Sequence, residues 1–197
     1  MNPPIGTDSD STRERVAAAA TAEFAAYGIA GARVERIAKA ARTSKERVYA
    51  HFGSKEALYR YVFARELGAV AEATRMDPAD LPGYAGRLHD YFTSHPEHHR
   101  LMAWGDLELA AEAPRSDDAV LASVQHKAEQ IREAQRSGLL DSAWDPLDVL
   151  MLVNQIATMW VAHPTLIPSG EGLAERRAAI VAAVQRLFPA ADPTKNS

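Results

Sequence analysis

The N-terminal third of this chain contains a series of closely spaced helix breaks, which constrain its fold more than any other feature. An Ala-rich segment beginning at Thr12 carries apolar residues at helical spacing and stops at Gly28. A second short apolar pattern ends at Arg42 and Thr43, after which Ser44 is a good N-cap for a third helix. Three short helices with so brief a turn between the second and the third are typical of a helix-turn-helix.

Composition and capping signals predict that the rest of the chain is helical as well. The fourth helix begins after Ser54, the fifth begins at Pro96, and the sixth ends near Gly138. Asp145-Pro146 is a strong start signal for a helix that is apolar nearly all round, and the last helix covers residues 171–188. Aromatic residues make up only 7% of the chain. We therefore expect an all-α protein of about nine helices.

Charge is unevenly distributed along the chain. The net charge is −4, yet residues 1–60 hold ten Lys or Arg against seven Asp or Glu. A basic N-terminal module on an acidic body can bind phosphate locally while the whole protein stays soluble.

Several classes of protein are excluded by what the sequence lacks. It has 0 cysteines, so disulfides and cysteine-ligated zinc are excluded. The N-terminal residues have no apolar core of a signal peptide, and the most apolar run, residues 149–162, is too short to cross a bilayer. These observations predict a cytoplasmic protein with no membrane partner. No phosphate loop, nucleophile elbow, zinc-protease motif or dinucleotide fingerprint is present, so we predict no enzyme activity, cofactor or metal site.

The stretch from Thr12 to Leu58 resembles the N-terminal domain of the TetR family of transcriptional regulators. The match is densest at the third helix and the start of the fourth: Ser44-Lys45, Tyr49, Phe52 and Ser54-Lys55-Glu56-Ala57-Leu58. Two positions depart from the family pattern. Arg42 replaces the common Gly of the turn, so we expect it to adopt a left-handed conformation at some cost. Ala32 replaces a Thr that caps the second helix, a loss of typically about 1 kcal/mol.

The resemblance implies a DNA reader in which the third helix enters the major groove. Arg47 is the candidate base contact, because its guanidinium can bind guanine O6 and N7 together. Val48 and Phe52 are predicted to pack in the core. The alternative is that these charges form an ordinary solvated helix face. The candidate phosphate contacts are Arg33, Thr43, Ser44, Lys45, Tyr49, His51 and Lys55.

The resemblance also implies that the last two helices form a two-fold dimer contact and that the middle of the chain binds an apolar small-molecule effector. The dimer residues are predicted to be Val149, Val153, Ile180, Val184 and Leu187. The effector residues are predicted to be Leu101, Met102, Trp104, Leu107, Met159 and Trp160, with Asn154, Gln155, His126 or Glu108 as polar groups. For each of these residues, a plain core role is the alternative.

Together these expectations describe a homodimeric regulator, typically a repressor, that binds a near-palindromic operator in duplex DNA and is released by an apolar effector. The predicted DNA-binding domain is residues 11–57, and the predicted ligand-binding and dimerisation domain is residues 58–188. Residues 1–10 and 189–197 are predicted to be disordered tails. The alternatives are a constitutive DNA binder without an effector, or a helical small-molecule-binding protein.

Overall fold

A computed structural model describes residues 6–109, 119–166 and 172–189, and the elements in these ranges are helical, without strands. Two 3-10 turns, Pro78–Asp80 and Pro164–Leu166, join the longer elements. Nine α-helices lie in the described ranges, in this chain order: α1 (Gly6–Gly31), α2 (Val34–Ala40), α3 (Lys45–Phe52), α4 (Lys55–Ala73), α5 (Leu81–Ser94), α6 (Pro96–Glu108), α7 (Ala119–Arg136), α8 (Pro146–Thr158) and α9 (Leu173–Leu187). The predicted all-α class is therefore confirmed.

The capping signals in the sequence correctly located several helix ends. Asp145 caps α8 by accepting the Leu147 N–H at 2.8 Å. Gly138 follows α7 with a φ of 74°, in the left-handed conformation expected at a helix C-terminus. Gly28 has a φ of 70° and kinks α1 at the predicted stop, although helical hydrogen bonding resumes as far as Gly31.

The first compact unit comprises residues up to Leu67 together with the segment that begins at Pro96. Within it, α1 packs against α2 and α6, and α2 packs against α3. Its core buries side chains from all of these helices, including Phe24, Ile37, Val48, Leu58 and Leu101. The α2-turn-α3 segment is thus held on a hydrophobic core rather than standing as an isolated pair of helices.

The second compact unit comprises Gly68–His95 and the described residues after position 118. Helix α5 packs against both α8 and α9, and α7 packs against α8. Leu81, Leu88, Ile131, Leu150 and Ile180 are among its buried core residues.

Some sequence predictions differ from the structure or lie outside it. Helix α1 already includes residues 6–10, which were expected to be disordered. Residues 1–5 and 190–197 lie outside the described part of the chain. Helix α5 had no predicted counterpart. The domain boundary expected after residue 57 stays a prediction, and α6 belongs to the same compact unit as α1 to α3. Every helix in the described ranges is too short or too polar to be a membrane span.

Candidate nucleic-acid interface

The turn between α2 and α3 is fixed by two backbone hydrogen bonds. The Thr43 N–H donates to the Ala38 carbonyl at 2.9 Å, and the Arg42 N–H donates to the Lys39 carbonyl at 3.2 Å. This pairing is a Schellman motif, which requires a left-handed residue just after the helix. Arg42 is that residue, with a φ of 54°, so the expected left-handed conformation is confirmed.

A side chain of helix α1 also stabilises this turn. The Arg15 guanidinium donates from Nε to the Ala41 carbonyl at 3.2 Å, and from Nη2 to the Thr12 hydroxyl at 3.0 Å. Because the Ala41 carbonyl belongs to the C-cap of α2, Arg15 satisfies an acceptor that the end of the helix leaves open. Arg15 therefore links the turn to the longest helix of the unit.

The cap of α2 lies one residue later than the sequence predicted. Arg33 is the N-cap, and no side chain caps the helix, as expected, but Ala32 is a buried core residue. Glu23 of α1 compensates in part: its Oε1 accepts the Arg33 N–H at 2.9 Å and binds the Arg36 guanidinium. The carboxylate of Glu23 thus fixes the start of α2 against α1.

Helix α3 presents one face to the core and the other to solvent. Ser44 caps it by accepting the Arg47 N–H at 3.2 Å. Val48 is 1% exposed and Phe52 is half-buried, with its ring centroid 5.2 Å from that of Tyr61. The predicted core role of these two residues is therefore confirmed.

The solvent face of α3 carries the predicted reader and anchor. Arg47 is exposed and forms no side-chain hydrogen bond or ion pair with a described residue. The Lys45 ammonium lies 2.5 Å from the Glu35 carboxylate, which raises the pKa of Lys45 and lowers that of Glu35. Both side chains are largely exposed, so the pair contributes little to stability, and Lys45 can exchange Glu35 for a phosphate at small cost.

The other predicted phosphate contacts are placed in different ways. Arg33 and Tyr49 are exposed, and the Lys45 ammonium lies 5.9 Å from the centroid of the Tyr49 ring. His51 is half-buried in the last turn of α3, with its ring centroid 6.2 Å from that of Phe52.

Thr43 and Lys55 have structural surroundings that the sequence did not indicate. The Thr43 hydroxyl is buried and has no hydrogen-bond partner in the described part of the chain, so it does not face solvent. The Lys55 ammonium donates to the Ala30 and Ala32 carbonyls at 3.3 and 3.4 Å. Lys55 therefore provides a donor and a positive charge to carbonyl groups at the C-terminal end of α1, in addition to any contact it makes with phosphate.

The predicted effector residues fall into both compact units. In the first unit, Leu101 is 0% exposed within the core, whereas Leu107 is 74% exposed. Met102 and Trp104 are half-buried, and the Trp104 indole donates to the Ala25 carbonyl at 3.4 Å. In this unit, Leu101 is therefore a core residue.

Most of the remaining predicted effector residues lie on α8 or just after it, in the second unit, whereas His126 is an exposed residue of α7. Asn154 is half-buried and accepts the Tyr84 hydroxyl at 3.3 Å, whereas Met159 is 45% exposed. The Arg176 guanidinium lies 5.3 Å from the centroid of the Trp160 ring. A cleft elsewhere in this unit, bounded by the Pro78–Asp80 turn and Phe188, has a volume of about 60 Å³. Ligand sites typically have about 300–1,000 Å³, so this cleft is too small for an ordinary effector.

Four of the five predicted dimer residues are buried inside a single chain, and the dimer contact itself stays a prediction. Val149, Val153, Ile180 and Val184 are at most 2% exposed, and only Leu187 is exposed, at 42%. The helical period places the exposed positions of α8 between these core positions. Helix α8 and the turn after it instead expose a separate apolar stripe: Leu147, Met151, Leu152 and Met159.

Two polar residues of the second unit, the half-buried Lys127 and the buried Tyr84, were missed by the sequence analysis. Lys127 follows Val124 by three residues and precedes Ile131 by four, so it occupies the buried stripe of α7. Its ammonium donates to the Tyr84 hydroxyl at 3.2 Å, and Tyr84 itself is 1% exposed. A charged residue at an apolar position of a helical pattern was the available signal for Lys127. Tyr84 lies on α5, the helix that was not predicted.

Comparisons with known proteins agree with this geometry. Residues 16–62 match the model of bacterial regulatory proteins of the tetR family, and residues 80–186 match that of tetracyclin repressor-like C-terminal domains. The HTH-type transcriptional repressor SCO4008 of Streptomyces coelicolor is 36% identical over 164 residues, covering 81% of this chain and 83% of that protein. NicS, a repressor of Pseudomonas putida, is 31% identical over 117 residues, covering 56% of this chain and 55% of that protein. The crystal structure of SCO4942, a candidate transcriptional regulator from Streptomyces coelicolor, is 55% identical, with a TM-score of 0.78 over 90% of this chain and 98% of that chain.

Proposed function

Because this chain belongs to the TetR family of helix-turn-helix transcriptional repressors, we propose that it binds a near-palindromic operator as a homodimer and is released by a small-molecule effector. Proteins of this family are DNA-binding regulators and not enzymes.

The exposed face of α3 is the observation that carries the DNA-binding proposal. Arg47 projects from a short helix whose ends are both fixed, by the Ser44 cap and by Gly53 with a φ of 78°. A guanidinium with no described partner keeps all of its donors available for a guanine edge. Lys45, two residues before Arg47 at the helix start, is placed to bind phosphate, where the helix dipole also favours negative charge.

The dimer proposal rests on the exposed stripe of α8 rather than on the residues first predicted. Leu147, Met151 and Leu152 are 44%, 45% and 37% exposed on a helix whose opposite face is fully buried. Large apolar side chains grouped on one face typically mark an interface. A single short helix reads too few base pairs for a specific site, so a two-fold pair of readers is also what operator recognition requires.

The effector proposal rests on the polar groups inside the second unit. Tyr84 and His89 are 1% and 2% exposed, and the Nδ1 atom of His89 has no hydrogen-bond partner among the described residues. A buried polar atom without a partner destabilises the folded state, so its presence calls for another role, such as orienting a ligand. An effector that binds one conformation of this unit more tightly would shift the protein away from its operator-binding state.

Substitutions on α3 test the DNA-binding proposal. We expect Arg47→Ala to weaken operator binding by about 1–3 kcal/mol and to relax specificity at one base pair of each half-site. Lys45→Ala is expected to weaken binding to all sequences and to reduce the salt dependence. Fluorescence anisotropy with a labelled operator selected from random duplexes measures both effects.

Arg65→Ala is the matched control, since Arg65 is a partly exposed arginine of the same unit that pairs with Glu14 on the outer face of α4 and α1. Its affinity should equal that of the wild type. If Arg47→Ala and Lys45→Ala also bind as the wild type does, α3 is not the reader.

A further inference from the structure

Lys127 of the second compact unit is a half-buried cation with no acidic partner among the described residues. Lys127 is half-buried on the core-facing stripe of α7, next to Ala128, which is 8% exposed. No described Asp or Glu lies within ion-pair distance of its ammonium, and burial alone lowers its pKa. A charge taken from water without a partner destabilises the folded state, so a position of this kind needs a reason other than stability.

The carboxylates of the same helix form ion pairs with arginines and not with Lys127. Glu129 binds the guanidinium groups of both Arg132 and Arg136, and Glu133 binds that of Arg136. All four side chains are largely exposed, on the side of α7 that faces away from the core. The helix therefore pairs its exposed charges with one another, whereas its inward-facing lysine has no acidic partner in the part of the chain that the structure describes.

The neighbours of Lys127 form an ordered chain of hydrogen bonds rather than a neutralising group. The Lys127 ammonium donates to the Tyr84 hydroxyl at 3.2 Å, and that hydroxyl donates to Asn154 Oδ1 at 3.3 Å. Burial raises the pKa of Tyr84 to about 12, so the phenol stays neutral and cannot supply the missing negative charge. Two ammonium N–H groups remain for another acceptor, in an orientation that the Tyr84 contact fixes.

We propose that Lys127, oriented by Tyr84 and Asn154, binds the anionic group of the effector, so that the ligand is an apolar molecule carrying a carboxylate or a similar anion. This inference rests on the proposed effector-dependent function. A charge-assisted hydrogen bond in a partly desolvated site is stronger than a neutral one. The ligand would supply the counter-charge that the described residues do not provide, which gives a direct preference for an acid over the neutral molecule of the same shape.

Matched acid and alcohol probes test this preference without DNA. The pairs are decanoate with 1-decanol, phenylacetate with 2-phenylethanol, and indole-3-acetate with indole-3-ethanol, each titrated into the full chain by calorimetry at neutral pH. We expect at least one acid to bind about tenfold or more tightly than its alcohol. Lys127→Met should abolish that preference, and Lys127→Arg should retain it. Arg132→Met, which removes an exposed cation of the same helix, should also leave it intact.

A second measurement separates ligand binding from a structural role. Without ligand, Lys127→Met should unfold at the same temperature as the wild type or a higher one, because it removes a half-buried charge that has no acidic partner among the described residues. The proposal is overturned if no acid binds better than its alcohol, if Lys127→Met keeps the preference, or if Lys127→Met unfolds at a lower temperature. If the ligand-free wild type does not bind an operator, the proposed regulatory function is contradicted instead. The calorimetric titrations still test the preference for an acid, because they contain no DNA.

Discussion

Arg42 holds a backbone conformation that costs a residue with a side chain about 1–2 kcal/mol. Its φ of 54° closes the turn that sets the angle between α2 and α3. The same Schellman motif ends α7, where Gly138 has a φ of 74° and the Leu139 N–H donates to the Ala134 carbonyl at 2.8 Å. The chain thus contains one motif twice, once with glycine and once with arginine at the left-handed position.

This pair makes a matched prediction at the residue scale. Arg42→Gly should raise the free energy of unfolding by about 1 kcal/mol, because glycine adopts the left-handed conformation without strain. Gly138→Ala should lower it by a similar amount. Chemical denaturation followed by circular dichroism measures both. Equal stability of Arg42→Gly and the wild type would show that Arg42 is not strained.

Single residues also show how far the sequence was informative. The αL conformation at Arg42 was predictable because the position in the turn demands it whatever residue is there. The hydrogen bonds from Lys55 to two backbone carbonyls were not predictable, because Ala30 and Ala32 approach its ammonium only after α1 and α4 have packed. The N-cap of α2 was placed at Ala32 and not at Arg33 for a related reason. The start of α2 is fixed by Glu23, which accepts the Arg33 N–H from ten residues earlier in the chain.

Among the elements, the kink in α1 depends on a carboxylate from α6. Gly28 interrupts α1, and the Ile29 and Ala30 N–H groups that follow donate to Glu108 at 3.1 and 2.7 Å. Trp104 of the same helix packs against Gly28, where a side chain would clash with it. Helix α6 therefore replaces hydrogen bonds that the kink removes from α1.

Removing this carboxylate should destabilise the first unit. We expect Glu108→Ala to lower the free energy of unfolding by about 1–3 kcal/mol, since two amide donors lose a charged acceptor. Thermal and chemical denaturation measure the change. Glu72→Ala, at an exposed position of α4, is the control and should have almost no effect. Equal effects of the two substitutions would mean that Glu108 does not support the kink.

Helices were predictable where local signals agreed and were missed where they conflicted. Helix α8 was located by Asp145-Pro146, but α5 was missed because Pro82, Gly83 and Gly86 resemble a linker. In the structure, Asp80 caps α5 by accepting the Gly83 N–H at 2.9 Å. A Cβ at Gly86 would lie 2.9 Å from Arg177 Nη2 of α9, so this glycine permits close helix packing that only the tertiary structure reveals.

In the whole molecule, the arrangement of apolar residues on α8 indicates a partner. The sequence predicted a helix buried on several sides because it is apolar nearly all round. The single chain buries only one face of it, through residues such as Val149 and Val153, and leaves Met151 and Leu152 exposed. The sequence pattern could not distinguish the two faces, because both are apolar and only packing separates them.

A charge on the exposed stripe should therefore disrupt the proposed homodimer. We expect Met151→Glu to yield a monomer that keeps its helical content, because two carboxylates would meet across a two-fold contact. Sedimentation equilibrium at micromolar concentration gives the mass. The control is Gln125→Glu, which adds the same charge at an exposed position of α7 and should remain dimeric. A monomeric wild type, or a dimeric Met151→Glu, would contradict this interface.

In the proposed homodimer, the two copies of α3 read DNA as a two-fold pair. The most direct measurement is selection of duplexes from a random library by the full-length protein, followed by titration of the enriched duplex at increasing salt. We expect a near-palindromic sequence with two half-sites, and an affinity that falls steeply with salt as phosphate contacts are screened. Failure to enrich any sequence, or an affinity independent of salt, would contradict the account.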